Sequence, residues 1–294
     1  MVPDQFLLVT SVEEGTVSLI PKAINGVQLK TDELHDRVVI ATSERPSAVV
    51  YDPVDEFVYW SDVAFNHIYR KKLGQASHET VLEDLIGTVD GLAIDVDNRL
   101  LFFTNVLPMA NGKSHARVES LSLDSYDRVL IGSWDLQYPR AIAVDPEQTV
   151  IYFTDWGQKP AIYRCDYQGK GFTEITALTE MSRLRLKNPN GLAVVMSQGT
   201  KKIFVVDAQY SDGDDSAYAD PPALTWIHSE SKLSYAFDNY DIPPELIRVP
   251  FGVTAYGDQS WFTDWELEGI VQVDPNTFGR QSTIMRLKKN LKNS

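Results

Sequence analysis

A short motif that recurs six times constrains this chain more than any other feature. Its fullest copy, residues 151–157, reads Ile-Tyr-Phe-Thr-Asp-Trp-Gly: an aromatic pair, then Thr-Asp. The last motif position falls at residues 11, 62, 105, 155, 207 and 264, so successive copies lie 51, 43, 50, 52 and 57 residues apart. A period of about 40 to 50 residues made of short strands is typical of a β-propeller with four strands per blade. The sequence therefore predicts an all-β fold, a six-bladed β-propeller.

The best-kept motif positions are expected to hold neighbouring blades together. They are Tyr59, Trp60, Asp62, Arg70, Phe153, Asp155, Arg164, Asp207, Phe262 and Asp264. A half-buried carboxylate needs a partner, either backbone N–H groups or an arginine. Arg70 and Arg164, on the strand that follows the motif, are well placed to pair with the motif Thr and Asp.

A run of small and branched residues after Pro or Gly precedes the aromatic pair in every copy except the first. Such a run suits an innermost strand, where blades crowd together. We predict one domain over 1–294, with blades near 6–45, 46–88, 89–137, 138–187, 188–248 and 249–294. The innermost strand of the first blade should come from beyond Arg286, but residues 287–294 lack the pattern, so we expect an incomplete first blade.

Charge and cysteine content narrow the function classes. The 41 acidic and 27 basic residues give a formal net charge of -14, which argues against nucleic acid or an anionic membrane and favours a basic or amide-rich partner. The single cysteine, Cys165, cannot form an internal disulfide. With neither a signal peptide nor an apolar run of transmembrane length, the chain is expected to be intracellular or one domain of a longer secreted or membrane protein. No cofactor motif is present, and we expect a monomer.

The ordered motifs resemble the class B (Tyr-Trp-Thr-Asp) repeats of the low-density lipoprotein receptor family along essentially the whole chain. The similarity is greatest to the Wnt co-receptor branch and to nidogen-type propellers, on segments 59–63, 139–145, 152–157, 189–192 and 263–265. The resemblance implies an extracellular, non-enzymatic receptor propeller of Wnt signalling or endocytosis that binds a protein ligand or an adjacent epidermal-growth-factor-like module. Asn105 departs from the motif Asp, and insertions at 107–115 and 208–222 lengthen the third and fifth blades.

Propellers bind partners at the channel mouth, through loops that precede each innermost strand or follow each Thr-Asp. The sequence places there Asn190, Arg140, Trp156, Phe251, Trp265, Glu44, Asp90 and Glu266. Aromatics, an arginine and an amide ringed by acids suit a peptide or loop ligand. The resemblance implies that Asn190 pairs with a ligand asparagine near Arg140 and Phe251, although segment 63–66 lacks the acid of that branch.

Simpler interpretations compete with these assignments. Trp156 and Trp265 follow the repeat and could pack between blades, and Asn190 suits a Pro-Asn-Gly turn for backbone reasons alone. Segment 211–215 superficially resembles a calcium loop but lacks the alternating ligands and the terminal Glu. We therefore predict no metal site.

Two other functions stay open on the sequence. Glu44, Asp90 and Asn190 could serve a calcium-dependent propeller hydrolase of the lactonase or esterase type, although no general base is evident. A rigid structural spacer of a matrix protein is the third possibility. Substitution of Asn190 and Arg140 separates the three: loss of partner binding, loss of metal-dependent hydrolysis, or no effect.

Overall fold

The computed structural model describes residues 6–21, 37–84, 87–108, 114–177, 186–197, 200–208, 223–231, 234–239, 242–256, 259–273 and 283–286. Within these ranges the chain forms six antiparallel sheets, five of four strands and one of three. Strands that follow each other in the chain pair with each other inside every sheet. The chain divides into two compact units, residues 1–21 with 38–184 and residues 22–37 with 185–294.

The first unit contains four sheets. Their strands are β1 (Phe6–Ser11), β2 (Thr16–Pro21) and β3 (Val38–Thr42); β4 (Pro46–Asp52), β5 (Phe57–Asp62), β6 (His67–Lys72) and β7 (Glu79–Leu82); β8 (Leu92–Asp95), β9 (Leu100–Pro108), β10 (Ser114–Ser122) and β11 (Arg128–Gly132); β12 (Pro139–Asp145), β13 (Val150–Asp155), β14 (Ala161–Asp166) and β15 (Thr173–Glu174). Strand β15 ends at Glu174, and a 3-10 helix, Ile175–Ala177, follows it and buries the Ile175 side chain.

The second unit contains two sheets and a short 3-10 helix, Pro244–Leu246. Its strands are β16 (Pro189–Ser197), β17 (Thr200–Asp207), β18 (Ala223–Ser231) and β19 (Ser234–Asn239); β20 (Pro250–Tyr256), β21 (Gln259–Asp264), β22 (Gly269–Val273) and β23 (Thr283–Arg286). The single domain and its blade limits stay a prediction. So does the incomplete first blade: its sheet has three strands among the described residues, and 287–294 lie outside them.

The core of each unit lies between neighbouring sheets and is built from the motif strands. Every residue of β13 is buried. In the first unit Phe102 and Phe153 share one cluster and Tyr59 and Phe103 another. Burial of one such aromatic side chain stabilises the fold by about 1.5–3 kcal/mol.

The turns that follow the motif strands repeat one backbone geometry. Gly15, Asn66 and Glu268, each just before the next strand, have φ of 60°, 57° and 49°. At Gly15 a Cβ atom would lie 2.5 Å from the Ser43 carbonyl oxygen, so glycine is required there for space as well as for φ. These turns bring the end of the second strand close to the segment that precedes the innermost strand.

Candidate ligand-binding face

The motif Asp anchors the chain just before the innermost strand. Asp62 Oδ2 accepts hydrogen bonds from the backbone N–H groups of Glu44 and Arg45, at 2.8 and 3.2 Å. The same bonds recur from Gln137 and Tyr138 to Asp155, from Lys187 and Asn188 to Asp207, and from Arg248 and Val249 to Asp264. These buried carboxylates are thus satisfied by backbone N–H groups.

The expected pairing of Arg70 with the motif Asp is wrong. Arg70 donates to Glu79 at 2.8 Å, and its guanidinium lies 4.3 Å from the centre of the Phe57 ring. The reason is strand register, because Arg70 faces Glu79 directly across the pair β6–β7. The arginine therefore joins the outer strands of its own sheet.

Two copies of the motif Asp differ in electrostatics. Burial raises the pKa of Asp62, but the Ser43 hydroxyl and the backbone N–H groups of Phe65, Arg45 and Ala64 lower it more, so the pKa falls below its ordinary value. At Asp155 burial prevails over the N–H groups of Gln137 and Tyr138, and Asp135 adds repulsion, so the pKa is raised. The balance among burial, hydrogen-bond donors and neighbouring charge decides the sign of each pKa shift.

The hydroxyl residue before the motif Asp fixes a bulge in the innermost strand. The backbone N–H groups of Ala48, Gly91, Ala141 and Gly252 donate to the hydroxyls of Ser61, Thr104, Thr154 and Thr263, at 3.0, 3.0, 3.1 and 2.9 Å. In β4, β12 and β20 the register shifts by one residue at this point. A bulge leaves one N–H outside the ladder, and the hydroxyl supplies its acceptor. The residue just before that N–H lies at the end of the innermost strand, and we call it the displayed residue.

In the first unit the displayed residues Ser47, Asp90 and Arg140 form a bonded row, which we call the first-unit row. Ser47 Oγ donates to Asp90 Oδ1 at 3.2 Å, and Arg140 donates to Asp90 Oδ2 at 2.8 Å. The Arg140 guanidinium lies 4.3 Å from the centre of the Trp156 ring, and its side chain is 18% exposed. Burial lowers the pKa of Arg140, an effect that Asp90 opposes. The row joins three sheets and ends in a cation held over an aromatic ring.

In the second unit the residues at the corresponding position are Asn190 and Phe251. Phe251 stacks on Trp265 with ring centres 4.2 Å apart, and Trp265 is 56% exposed. Asn190 is buried, and its Nδ2 donates to the Pro250 carbonyl oxygen at 2.7 Å. We call Phe251 and Trp265 the second-unit shelf, an exposed aromatic pair beside a buried amide.

The structure thus brings together some of the predicted ligand residues and not others. Arg140, Asp90 and Trp156 meet in the first unit, and Phe251 and Trp265 meet in the second. Glu44 and Glu266 are exposed, and each contributes a backbone N–H to the nearby motif Asp.

Sequence reasoning missed Ser47. Pro46-Ser47-Ala48 aligns with Pro139-Arg140-Ala141, so the repeat itself assigns Ser47, rather than Glu44, to the displayed position of the second sheet. The alignment of Pro-x-small triplets was the signal that could have found it.

The two tryptophans that could pack between blades differ in exposure. Trp265 stands largely in solvent, whereas Trp156 is partly buried and its indole N–H is fully enclosed. Segment 211–215 lies outside the described residues. Within the described residues no group of three or more His, Cys, Asp or Glu side chains could hold a metal ion.

Comparison with known proteins assigns the chain to a family. No family model matches it. It is 32% identical over 216 residues to the human low-density lipoprotein receptor-related protein 5-like protein, covering 74% of this chain and 73% of that relative. The chain belongs to the low-density lipoprotein receptor-related protein family.

Longer members of the wider receptor group match it as well. It is 32% identical over 131 residues, 44% of this chain, to mouse low-density lipoprotein receptor-related protein 5. It is 23% identical over 251 residues, 84% of this chain, to the vitellogenin receptor Yl of Drosophila melanogaster. The matched parts are only 8% and 11% of those two receptors.

Solved structures confirm the fold class. A nidogen/laminin complex contains a chain with a TM-score of 0.71 at 20% identity, covering 95% of this chain and 92% of that one. Regucalcin from Agrobacterium tumefaciens, a calcium-binding protein, has a TM-score of 0.59 at 12% identity, covering 82% and 74%. At such identities the structural similarity shows the fold alone. This chain is all-β, a six-bladed β-propeller of YWTD-type repeats. No helix in the described ranges is long and apolar enough to cross a membrane.

Proposed function

We propose that this chain is an extracellular, non-enzymatic receptor-type propeller domain that binds a protein ligand or a neighbouring receptor module. It would act as a monomer within the ectodomain of a membrane receptor or in a secreted matrix protein. The observation that carries the proposal is Trp265, which is 56% exposed although it stacks on Phe251. Tryptophan dominates binding hot spots, because it buries a large area and can hydrogen-bond at the same time.

The first-unit row supports the same function. Arg140 is already held between Asp90 and Trp156, so little side-chain freedom is left to lose on binding. Immobilising a long side chain at an interface otherwise costs about 0.5–1.5 kcal/mol. Because Asp90 balances the charge of Arg140, the row suits a neutral or amide-bearing segment better than an anion.

Asn190 is buried, so it can contribute only if its side chain turns toward the ligand. One N–H of its Nδ2 donates to Pro250 O, and among the described residues no donor reaches its buried Oδ1. A ligand amide could take over both groups of this side chain at once, since an amide offers a donor and an acceptor. The proposed asparagine pairing therefore requires a local side-chain rearrangement.

Selection of cyclic peptides tests the proposal without a known ligand. Disulfide-closed peptides displayed on phage would be selected on the wild-type domain, and their affinities compared on Trp265→Ala, Arg140→Ala and Tyr256→Ala. Tyr256, 72% exposed at the opposite end of β20, is the matched control. Loss of a hot-spot side chain costs at least about 2 kcal/mol. We therefore expect a roughly thirtyfold loss on Trp265→Ala for peptides that contact the second-unit shelf, the same loss on Arg140→Ala for peptides that contact the first-unit row, and none on Tyr256→Ala.

Thermal unfolding of each variant would confirm that it is folded. Peptides that bind all three variants equally would contradict the proposal and favour a structural spacer.

A further inference from the structure

The hairpin β9–β10 is longer than its counterparts. In the second sheet Asp62 Oδ1 accepts the N–H groups of Ala64 and Phe65, which closes the turn at once. Asn105 stands at that position in the third sheet and donates to Glu119 instead, at 2.8 Å. Beyond it the two strands stay paired, from Ala116 opposite Val106 to Ser114 opposite Pro108. The hairpin thus extends three residue pairs past Asn105.

The extended part of β10 has one unpaired edge among the described residues. Strand β11 pairs with β10 only between residues 118 and 121, so 114–117 pair with β9 alone. A strand edge without a partner presents a row of N–H and C=O groups to an incoming chain. Addition of an extended segment to such an edge is a common mode of peptide recognition.

Arg117 stands on this edge and has no counter-ion in the part of the chain that the structure describes. Among those residues no acceptor reaches its buried Nε, and no carboxylate pairs with it. Arg128 provides a contrast, because two of its nitrogens bind Glu119 at 2.6 and 3.0 Å. A buried polar group without a partner costs about 1–3 kcal/mol. Since Arg117 as a whole is partly exposed, an acceptor can approach it from solvent.

We propose that residues 114–117 of β10 form a docking edge for an extended segment of a protein partner, and that Arg117 binds an Asp or Glu carboxylate of that segment. Main-chain hydrogen bonds along the edge would supply affinity. A charge-assisted bond from the planar guanidinium would select the acidic side chain. The edge uses neither the first-unit row nor the second-unit shelf, so it is a second contact surface.

Two blocked hexapeptides test the docking edge: acetyl-Thr-Val-Glu-Val-Thr-Val-amide and the same peptide with Gln in place of Glu. Affinity would be measured by calorimetry, and amide hydrogen exchange by nuclear magnetic resonance. We expect the Glu peptide to bind at least about tenfold more tightly, as a charge-assisted bond is stronger than a neutral one, and to slow exchange within 114–117. Arg117→Gln should abolish the difference between the peptides.

Arg45→Gln is the matched control, since Arg45 is an exposed arginine before β4. It should keep the preference for Glu, as should Trp265→Ala, which separates this edge from the proposed ligand face. Arg117→Lys keeps the charge and provides a second variant if Arg117→Gln does not fold. Equal binding of the two peptides, unchanged exchange, or sodium acetate that binds as tightly as the Glu peptide would overturn the proposal.

Discussion

At the scale of single residues, the pKa of the motif Asp shifts in opposite directions in two sheets. Asp62 receives a hydroxyl and four backbone N–H groups, and Asp155 receives the N–H groups of Gln137 and Tyr138 in the neighbourhood of Asp135. Their pKa values are accordingly lowered at Asp62 and raised at Asp155. Stability should therefore respond to pH in opposite directions at these two sites.

We expect Asp62→Asn to cost about 1–3 kcal/mol of unfolding free energy near pH 7, because several donors lose a charged acceptor. A lowered folded pKa stabilises the fold above the unfolded value of about 3.9, and this stabilisation is lost as pH falls through the folded pKa. The cost of Asp62→Asn should therefore shrink in acid. Urea unfolding from about pH 7 down to about pH 3 measures it.

Asp155→Asn should show the reverse trend. A raised folded pKa means that ionised Asp155 is penalised in the fold, and protonation removes the penalty as pH falls through that pKa. The wild type should therefore gain stability over Asp155→Asn in acid. Asp97→Asn, at an exposed turn, is the control and should stay within about 0.5 kcal/mol of wild type throughout. Parallel pH curves for Asp62→Asn and Asp155→Asn would refute the assignment.

The sequence correctly predicted that the motif Asp needs hydrogen-bond partners, but it predicted the wrong partner for Asp62. That the motif Asp must be satisfied follows from its burial, which the repeat indicates. Two of the backbone donors to Asp62, Glu44 and Arg45, lie 18 and 17 positions earlier in the chain, in a segment whose approach depends on the turn geometry. Charge alone suggested Arg70, but the pairing of β6 with β7 assigns it to Glu79.

At the scale of elements, the third sheet replaces the motif Asp with a polar relay. Gly87 N donates to Asn105, Asn105 donates to Glu119, and Arg128 binds Glu119. Glu119 is buried, and its carboxylate oxygens accept hydrogen bonds from Arg128 and from the Asn105 amide. The relay connects the segment before the innermost strand to the outer strand β11.

Restoring the motif with Asn105→Asp should destabilise the protein by about 3 kcal/mol, because it places a second carboxylate against buried Glu119. The double variant Asn105→Asp with Glu119→Gln should recover most of that loss, since one charge is removed and a donor returns. Equilibrium unfolding in urea gives both values. A single variant as stable as wild type would show that the two side chains do not interact as described.

Sequence comparison found the departure at Asn105 but not its consequence. The long insertion at 107–115 was expected, and the structure continues β9 to Pro108 and begins β10 at Ser114. Whether a strand continues past its motif depends on the side chains of the neighbouring strand, here Glu119, which accepts a hydrogen bond from Asn105. That pairing is a property of register, which a single sequence leaves open.

At the scale of the whole molecule, Cys165 offers a test of the packing in the first unit. It is 1% exposed, and burial raises its pKa to about 12. Because the thiolate is the reactive species, iodoacetamide at about pH 8 should alkylate the native protein roughly a thousandfold more slowly than the unfolded chain. Mass spectrometry over a urea series follows the reaction.

The urea concentration at the midpoint of alkylation should coincide with the midpoint of the change in tryptophan fluorescence on unfolding. The same chain in concentrated denaturant is the control for intrinsic reactivity. Rapid alkylation without denaturant would contradict the buried position of this thiol.

The fold class could be predicted at this scale because the spacing of the motif copies indicates directly that one set of strands repeats along the chain. The ligand face was only partly predictable. Recognition depends on a few displayed positions, and bulges decide which residues are displayed: they select Ser47 where Glu44 was expected. The division into two compact units has no counterpart in the motif pattern.

The bonded row of Ser47, Asp90 and Arg140 has an evolutionary consequence. The residues that would meet a partner also tie adjacent sheets together, so drift at one position disturbs its neighbour. Replacement of Arg140 alone leaves Asp90 with an unbalanced charge, and a lineage that changes its partner must alter both in concert. Diversification of this row should therefore proceed by correlated pairs.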